Sequence, residues 1–161
     1  MTQHDTRATV TAGTATRTAR GLLANAFAVV VMLLVQYVLG MWVNLFAALP
    51  QSDQGKGTFA GFGAAVAQGP VALTLHALLG TLLVVGAITL VIRAAMARKI
   101  ADAVLGVVAL LAIIGAWMAG SGFVGNGTDG ASFSMAVTTA VALLCYVIIL
   151  FVPRRPVGLP E

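Results

Sequence analysis

Four stretches of this chain are almost uninterruptedly apolar, and polar residues collect between them. They run over about residues 22–49, 71–92, 103–119 and 132–152. A helix rises 1.5 Å per residue and needs about 20 apolar residues to cross the hydrocarbon of a bilayer, and each stretch comes near that length. The pattern predicts an all-α fold, an antiparallel four-helix bundle embedded in a membrane, with residues 21–153 as the transmembrane domain. Residues 1–20 are polar and rich in Thr and Ala, with too little apolar surface to fold alone, and are expected to form a mobile tail. Residues 154–161 are expected to form a second, shorter one. The first apolar stretch is longer than the core of a secretory signal, so it is expected to stay as an anchor.

Charge then orients the bundle. Of the 9 Lys and Arg residues, Arg7, Arg17 and Arg20 precede the first stretch, and Arg93, Arg98 and Lys99 lie between the second and third. Arg154 and Arg155 follow the fourth, which leaves only Lys56 in a connection facing the other way. Cytoplasmic loops retain basic residues, so both termini are expected in the cytoplasm, with the chain in the inner (cell) membrane. The net charge of +4 invites a nucleic-acid reading, but the basic residues flank apolar spans instead of clustering with aromatics, and no nucleic-acid partner is expected. Hydrophobic residues make up 60 % of the chain and charged residues 9 %, which excludes an ordinary soluble domain. Four spans and their loops leave no room in 161 residues for a soluble catalytic domain.

Two apparent motifs carry no chemistry. Gly120-Ser121-Gly122-Phe123-Val124-Gly125 matches a dinucleotide-binding fingerprint, but it follows a helix where that motif requires a strand. Asn126-Gly127-Thr128 matches a glycosylation acceptor. Both are expected to be turn chemistry in the second outer loop. The first outer loop, 50–70, is long and Gly-rich, with an apolar middle at 58–66. That middle is too short to span; it forms either an interfacial piece across the mouth of the bundle or a flexible loop. The single Cys145 can make no intramolecular disulfide and is expected to be a small packing residue.

Strongly polar groups inside a membrane are costly and mark functional positions. No Asp, Glu, Lys or Arg lies deep in any apolar stretch, which argues against a proton- or cation-coupled transporter; Asp102 sits at a helix start, where its charge suits the dipole. What remains is His76, with Gln36 and Asn44. His76 lies roughly 9 Å below the outer end of the second helix, and Gly80 follows on the same face. Gln36, Gly40 and Asn44 share a face of the first helix, and counting from Pro50 puts Asn44 at the depth of His76. His76 admits three roles: an interhelical hydrogen bond with Asn44, axial ligation of haem iron, or gating and proton relay. Leu39-Gly40-Met41-Trp42 repeats weakly as Ile114-Gly115-Ala116-Trp117, and that correspondence sets Met135 at the depth of His76 as a second iron ligand.

Val35-Gln36-Tyr37-Val38-Leu39-Gly40, the long outer loop and His76-Ala77-Leu78-Leu79-Gly80 together resemble one four-helix half of a haem A synthase, over roughly residues 30–90. The resemblance implies a bundle in which histidines on alternate helices hold haem near the outer surface, with His76 as one such ligand. Where that family has a second histidine on the fourth helix, this chain has Ser132-Phe133-Ser134-Met135, and its only acid in the first outer loop is Asp53. Haem modification is therefore not expected.

Small residues should mediate the helix contacts: Ala109, Ala112, Ala116 and Gly120 on the third helix, Ala136 and Ala140 on the fourth. The function expected is that of a non-catalytic membrane subunit or scaffold, with the bilayer around it and a membrane-protein partner or second copy beside it. The alternative is a haem-binding electron-transfer protein with His76 as axial ligand.

Overall fold

A computed structural model describes residues 3–47, 57–126 and 129–151, with side chains over 20–47, 57–125 and 129–151. Lys56, Asp53, Thr128 and the Arg154–Arg155 pair lie outside the described residues, as do the side chains of His4, Arg7, Arg17 and Asn126. The described chain is all helical: α1 (Gln3–Phe46), α2 (Thr58–Ala67), α3 (Val71–Met96), α4 (Ile100–Asn126) and α5 (Asp129–Phe151). Within these, Arg20–Phe46, Val71–Met96, Ile100–Gly125 and Asp129–Phe151 are long and apolar enough to cross a membrane.

Several boundaries depart from the sequence expectation. α1 begins at Gln3, so the polar leader is helical. Extending an existing helix needs no new nucleus, and residues unable to fold alone can add to it. α4 continues through Gly120, Gly122 and Gly125, which were expected to form a turn. Gly120 packs against Met135, whose sulfur lies 3.3 Å from where a Cβ on Gly120 would stand. Ser121 donates its hydroxyl back to the Trp117 carbonyl at 3.0 Å, so this run uses its small residues for packing inside a helix.

α1 packs on α3 and α5, and α4 packs on α3 and α5, closing a four-membered ring. The contacts reverse along each pair: Gly21 meets Arg93 and Gly40 meets His76 between α1 and α3, while Gly115 meets Thr138 and Gly120 meets Met135 between α4 and α5. The long helices therefore alternate in direction. A buried cluster fills the basic end, with Leu22, Val29, Leu90, Tyr146 and Ile149 fully enclosed. A smaller cluster of Val43, Ala65, Leu73 and Val124 lies at the opposite end, beneath α2. Cys145 is buried in the larger cluster as a packing residue.

The α5 stripe of Ala136 and Ala140 is exposed, contrary to expectation. The inward face carries Ala142, Cys145, Tyr146 and Ile149, whose three- and four-residue spacing brings the larger side chains to the core. On α4, Ala109 is fully buried, as expected of a packing face.

The turn between α3 and α4 closes by a Schellman arrangement. Lys99 N–H donates to the Ala94 carbonyl at 3.1 Å, and Arg98 N–H donates to the Ala95 carbonyl at 3.0 Å. Arg98 occupies the left-handed position at φ 53°, where glycine is usual. On α1, Gly21 admits Arg93, whose guanidinium donates to the Gly21 carbonyl at 3.0 Å.

α2 is the apolar segment that the sequence left open between an interfacial piece and a loop. It packs on α3 and α4 across the end of the bundle. Gly61 allows its backbone to approach α4, because a Cβ there would lie 2.8 Å from the Ser121 carbonyl oxygen. Thr74 ties α3 to α2 by donating its hydroxyl to the Ala65 carbonyl at 3.1 Å.

Candidate functional site

Between the two buried clusters the bundle leaves a cavity of about 120 Å³. Its floor is Leu33, Leu83 and Ile113; its roof is Phe62, Ala65 and Leu73, closed by α2. Trp117 forms one wall and is held by Phe62 at 5.0 Å and Phe59 at 6.1 Å between ring centroids. His76, Gln36, Asn44 and Met135 all line this one space, although they come from three helices.

The polar wall is built by a reciprocal interlock of α1 and α3. His76 lies over Gly40, where a Cβ would stand 2.8 Å from its Cε1. Gln36 lies over Gly80, where a Cβ would stand 3.2 Å from its Nε2. Each helix thus offers one polar side chain and, four residues on, one glycine to receive its partner's. The Gln36 amide nitrogen donates to the His76 carbonyl oxygen at 3.0 Å and lies 3.3 Å from His76 Nε2. The hydrogen-bond partner of the imidazole is therefore Gln36. Asn44, expected to take that place, sits in the last turn of α1 and accepts a 3.3 Å hydrogen bond from the Ser132 hydroxyl.

These contacts determine where the imidazole carries its proton. A carbonyl oxygen only accepts, so the Gln36 atom facing it is the amide nitrogen, a donor. The same nitrogen faces His76 Nε2, which must then accept, leaving the proton on Nδ1. His76 Nδ1 and Gln36 Oε1 are both buried and have no hydrogen-bond partner among the described residues. The pair thus presents one unused donor and one unused acceptor. Three lining hydroxyls donate elsewhere: Ser121 to the Trp117 carbonyl, Thr139 to the Met135 carbonyl at 2.7 Å, and Ser132 to Asn44.

The arrangement does not fit a haem iron. An axial histidine needs a bare nitrogen lone pair, and here Nε2 faces the Gln36 amide while Nδ1 bears the proton. The volume argues the same way: an apolar protein cavity of about 150 Å³ accepts benzene, and a porphyrin is far larger. The internal repeat does not carry over either, since Trp117 points into the cavity whereas Trp42 is exposed and stacks on Phe46 at 4.8 Å.

Sequence reasoning missed Trp117 and Phe62 as cavity walls. The signal available was the apolar run at 58–66, whose two Phe residues sit three apart on one helical face. No protein-family model, curated protein or solved structure matches this chain, and no family evidence supports the haem A synthase resemblance.

Proposed function

We propose that this chain is an integral membrane protein of four spans, with both ends in the cytoplasm, acting as a non-catalytic membrane subunit that holds a small lipophilic molecule between its helices. The outward faces support embedding: Leu34, Val38, Leu82, Leu111 and Leu144 are all exposed, and a water-facing bundle rarely carries so much apolar surface on every helix. Among the described side chains, Arg20, Arg93, Arg98 and Lys99 collect at one end, which supports the orientation.

One observation carries the binding role: a cavity between apolar helices whose inner polar wall, Gln36 with His76, is only half satisfied. Among the described residues no carboxylate, amine or thiol lines it, and none of the lining hydroxyls of Ser121, Ser132 and Thr139 is hydrogen-bonded to the His76 imidazole. Reporter fusions within 93–99 and after residue 155 should report cytoplasm, and fusions at Gln54 and Asn126 the opposite side; a cytoplasmic signal at Gln54 would overturn the orientation. Protein purified from haem-replete cells should lack a Soret band. A Soret band that disappears in His76→Ala would replace the binding role with the haem alternative.

A further inference from the structure

We infer that the open groove at the basic end of the bundle, where α3 turns into α4, holds an anionic phospholipid, its phosphate at Arg98 and Lys99 and an acyl chain along α4. The inference rests on the membrane reading proposed above and gives a partner to a face apart from the His76 cavity.

The groove measures about 450 Å³. Small residues make the room: Ala94 and Ala95 lie in the last turn of α3, and Ala103 lies in the first turn of α4. Arg98 and Lys99 line its basic end, in the turn between the two helices. Further along, Val104, Val107 and Val108 line it, and all three are exposed. With Ile100 and Leu111 they form one exposed apolar stripe of α4 at three- and four-residue spacing. From Ile100 to Leu111 the stripe runs about 16 Å, half of a hydrocarbon core of roughly 30 Å and so the depth of one leaflet. That length suits an acyl chain whose headgroup stays at the basic end.

Recognition of the headgroup falls to side chains, because the N–H groups of Ala97, Arg98 and Lys99 are spent on the carbonyls of Arg93, Ala95 and Ala94. Arg98 stands at φ 53°, where glycine would fold without strain, so the chain keeps a guanidinium here against a backbone penalty. A guanidinium can meet two phosphate oxygens at once, and Lys99 adds a second positive charge. The neighbouring charges do not line the groove: Arg93 donates to the Gly21 carbonyl on α1, and Asp102 is buried with an interaction of its own. Two cations with no carboxylate among the lining residues favour an anionic headgroup over a zwitterionic one. A second copy of the chain is a poorer occupant. Inserted in the same orientation, it would set its own Arg98 and Lys99 beside these at the same depth, like charge against like.

The test uses the full chain in detergent micelles, titrated with dioleoyl phosphatidylglycerol, dioleoyl phosphatidylcholine or soluble glycerol 3-phosphate, with bound molecules counted by native mass spectrometry. One phosphatidylglycerol should bind roughly 10-fold more tightly than phosphatidylcholine, and glycerol 3-phosphate should not be retained. Arg98→Asn, a residue that suits left-handed backbone, should weaken phosphatidylglycerol about five-fold at an equal or higher unfolding temperature, with phosphatidylcholine unchanged. Adding Lys99→Gln should erase the preference. Val104→Trp, at an exposed position in the groove, should weaken both lipids while the charges stay in place. Equal affinities for the two lipids, or a preference that survives the double variant, would overturn headgroup recognition by this pair. Retention of glycerol 3-phosphate as tightly as phosphatidylglycerol would overturn the role of the groove. A protein dimer that keeps no lipid and dissociates in Val104→Trp would make the groove an interface between copies and overturn the lipid. All these outcomes leave the four-span reading standing; release of the chain from membranes by alkaline carbonate would overturn that reading and this inference together.

Discussion

Replacing Gly40 by Ala tests whether the interlock of α1 and α3 is real, because local and tertiary effects oppose each other there. In an isolated helix the change is favourable by about 1 kcal/mol, since Ala is the better helix former. In the bundle, the new methyl would stand 2.8 Å from His76 Cε1, closer than carbon atoms pack. The ring has to retreat by at least about 0.6 Å to reach ordinary contact. It is already 3.3 Å from the Gln36 amide, so that retreat strains or breaks the interhelical hydrogen bond. Overpacking costs about 1–3 kcal/mol and an interhelical hydrogen bond in a membrane bundle averages about 0.6 kcal/mol, which together exceed the helix gain. Net destabilisation of about 1–2 kcal/mol is expected. Gly80→Ala is the internal control. Its methyl would meet Gln36 Nε2 at 3.2 Å, the far end of a flexible side chain that can give by a few tenths of an ångström. That variant should stay within about 0.5 kcal/mol of the parent or exceed it. Reversible unfolding in mixed micelles measures both, and histidine ¹⁵N shifts report whether Nδ1 keeps the proton. If Gly40→Ala were as stable as the parent, with an unchanged imidazole signal, the helices would not be interlocked as described.

Three further outcomes follow from local geometry. Arg98→Gly relieves a left-handed backbone at φ 53° and should stabilise the bundle by about 1 kcal/mol in the same unfolding assay, while a fraction of molecules inverts in reporter-fusion tests as the basic bias weakens. Tyr146→Phe removes a buried hydroxyl that has no hydrogen-bond partner among the described residues, so it should be neutral or stabilising by up to about 1 kcal/mol; a loss above about 2 kcal/mol would mean that the hydroxyl is satisfied in the folded protein. Gly61→Ala pushes α2 off the Ser121 backbone, so hydrogen exchange should rise across Thr58–Ala67 while Leu83–Leu90 stays protected; equal protection in both segments would show that α2 does not depend on this contact.

The four long apolar helices were legible because an apolar run of about 20 residues has few alternative fates. Their ends were not. Gly120, Gly122 and Gly125 read locally as turn residues, and only the seat of Gly61 on Ser121 and of Gly120 on Met135 shows why glycine is needed inside that helix. The polar residues of the site were legible as a set, since Gln36, Asn44, His76 and Met135 stand out against apolar neighbours and all line one cavity. Their pairing was not. The depth count placing Asn44 against His76 began at Pro50, about one turn beyond the observed end of α1 at Phe46. Helix ends also say nothing about how far two helices slide past each other. That slide is set where each polar side chain meets the other helix's glycine, a relation between positions forty residues apart. The rotation of α5 was hidden for a similar reason: Ala136 and Ala140 form a plausible small-residue face until Tyr146 and Ile149 are seen to claim the interior.

The state of the polar pair separates a binding site from structural glue. A hydrogen bond whose only task is to join two helices is best when every buried donor and acceptor is used, because a stranded polar group costs about 1–3 kcal/mol. Here α1 and α3 give up helix-forming residues at Gly40 and Gly80 to seat Gln36 and His76, yet Oε1 and Nδ1 are left over. A leucine at each polar position would join the helices without that penalty. Both side chains line a cavity whose exposed lining residues lie on α1 and α5, and Trp117, Phe62, Leu83 and Ile113 line it as well. A bundle built only for rigidity gains nothing from this combination of penalty, space and access. A bundle built to hold a small lipophilic molecule has a use for both the space and the access.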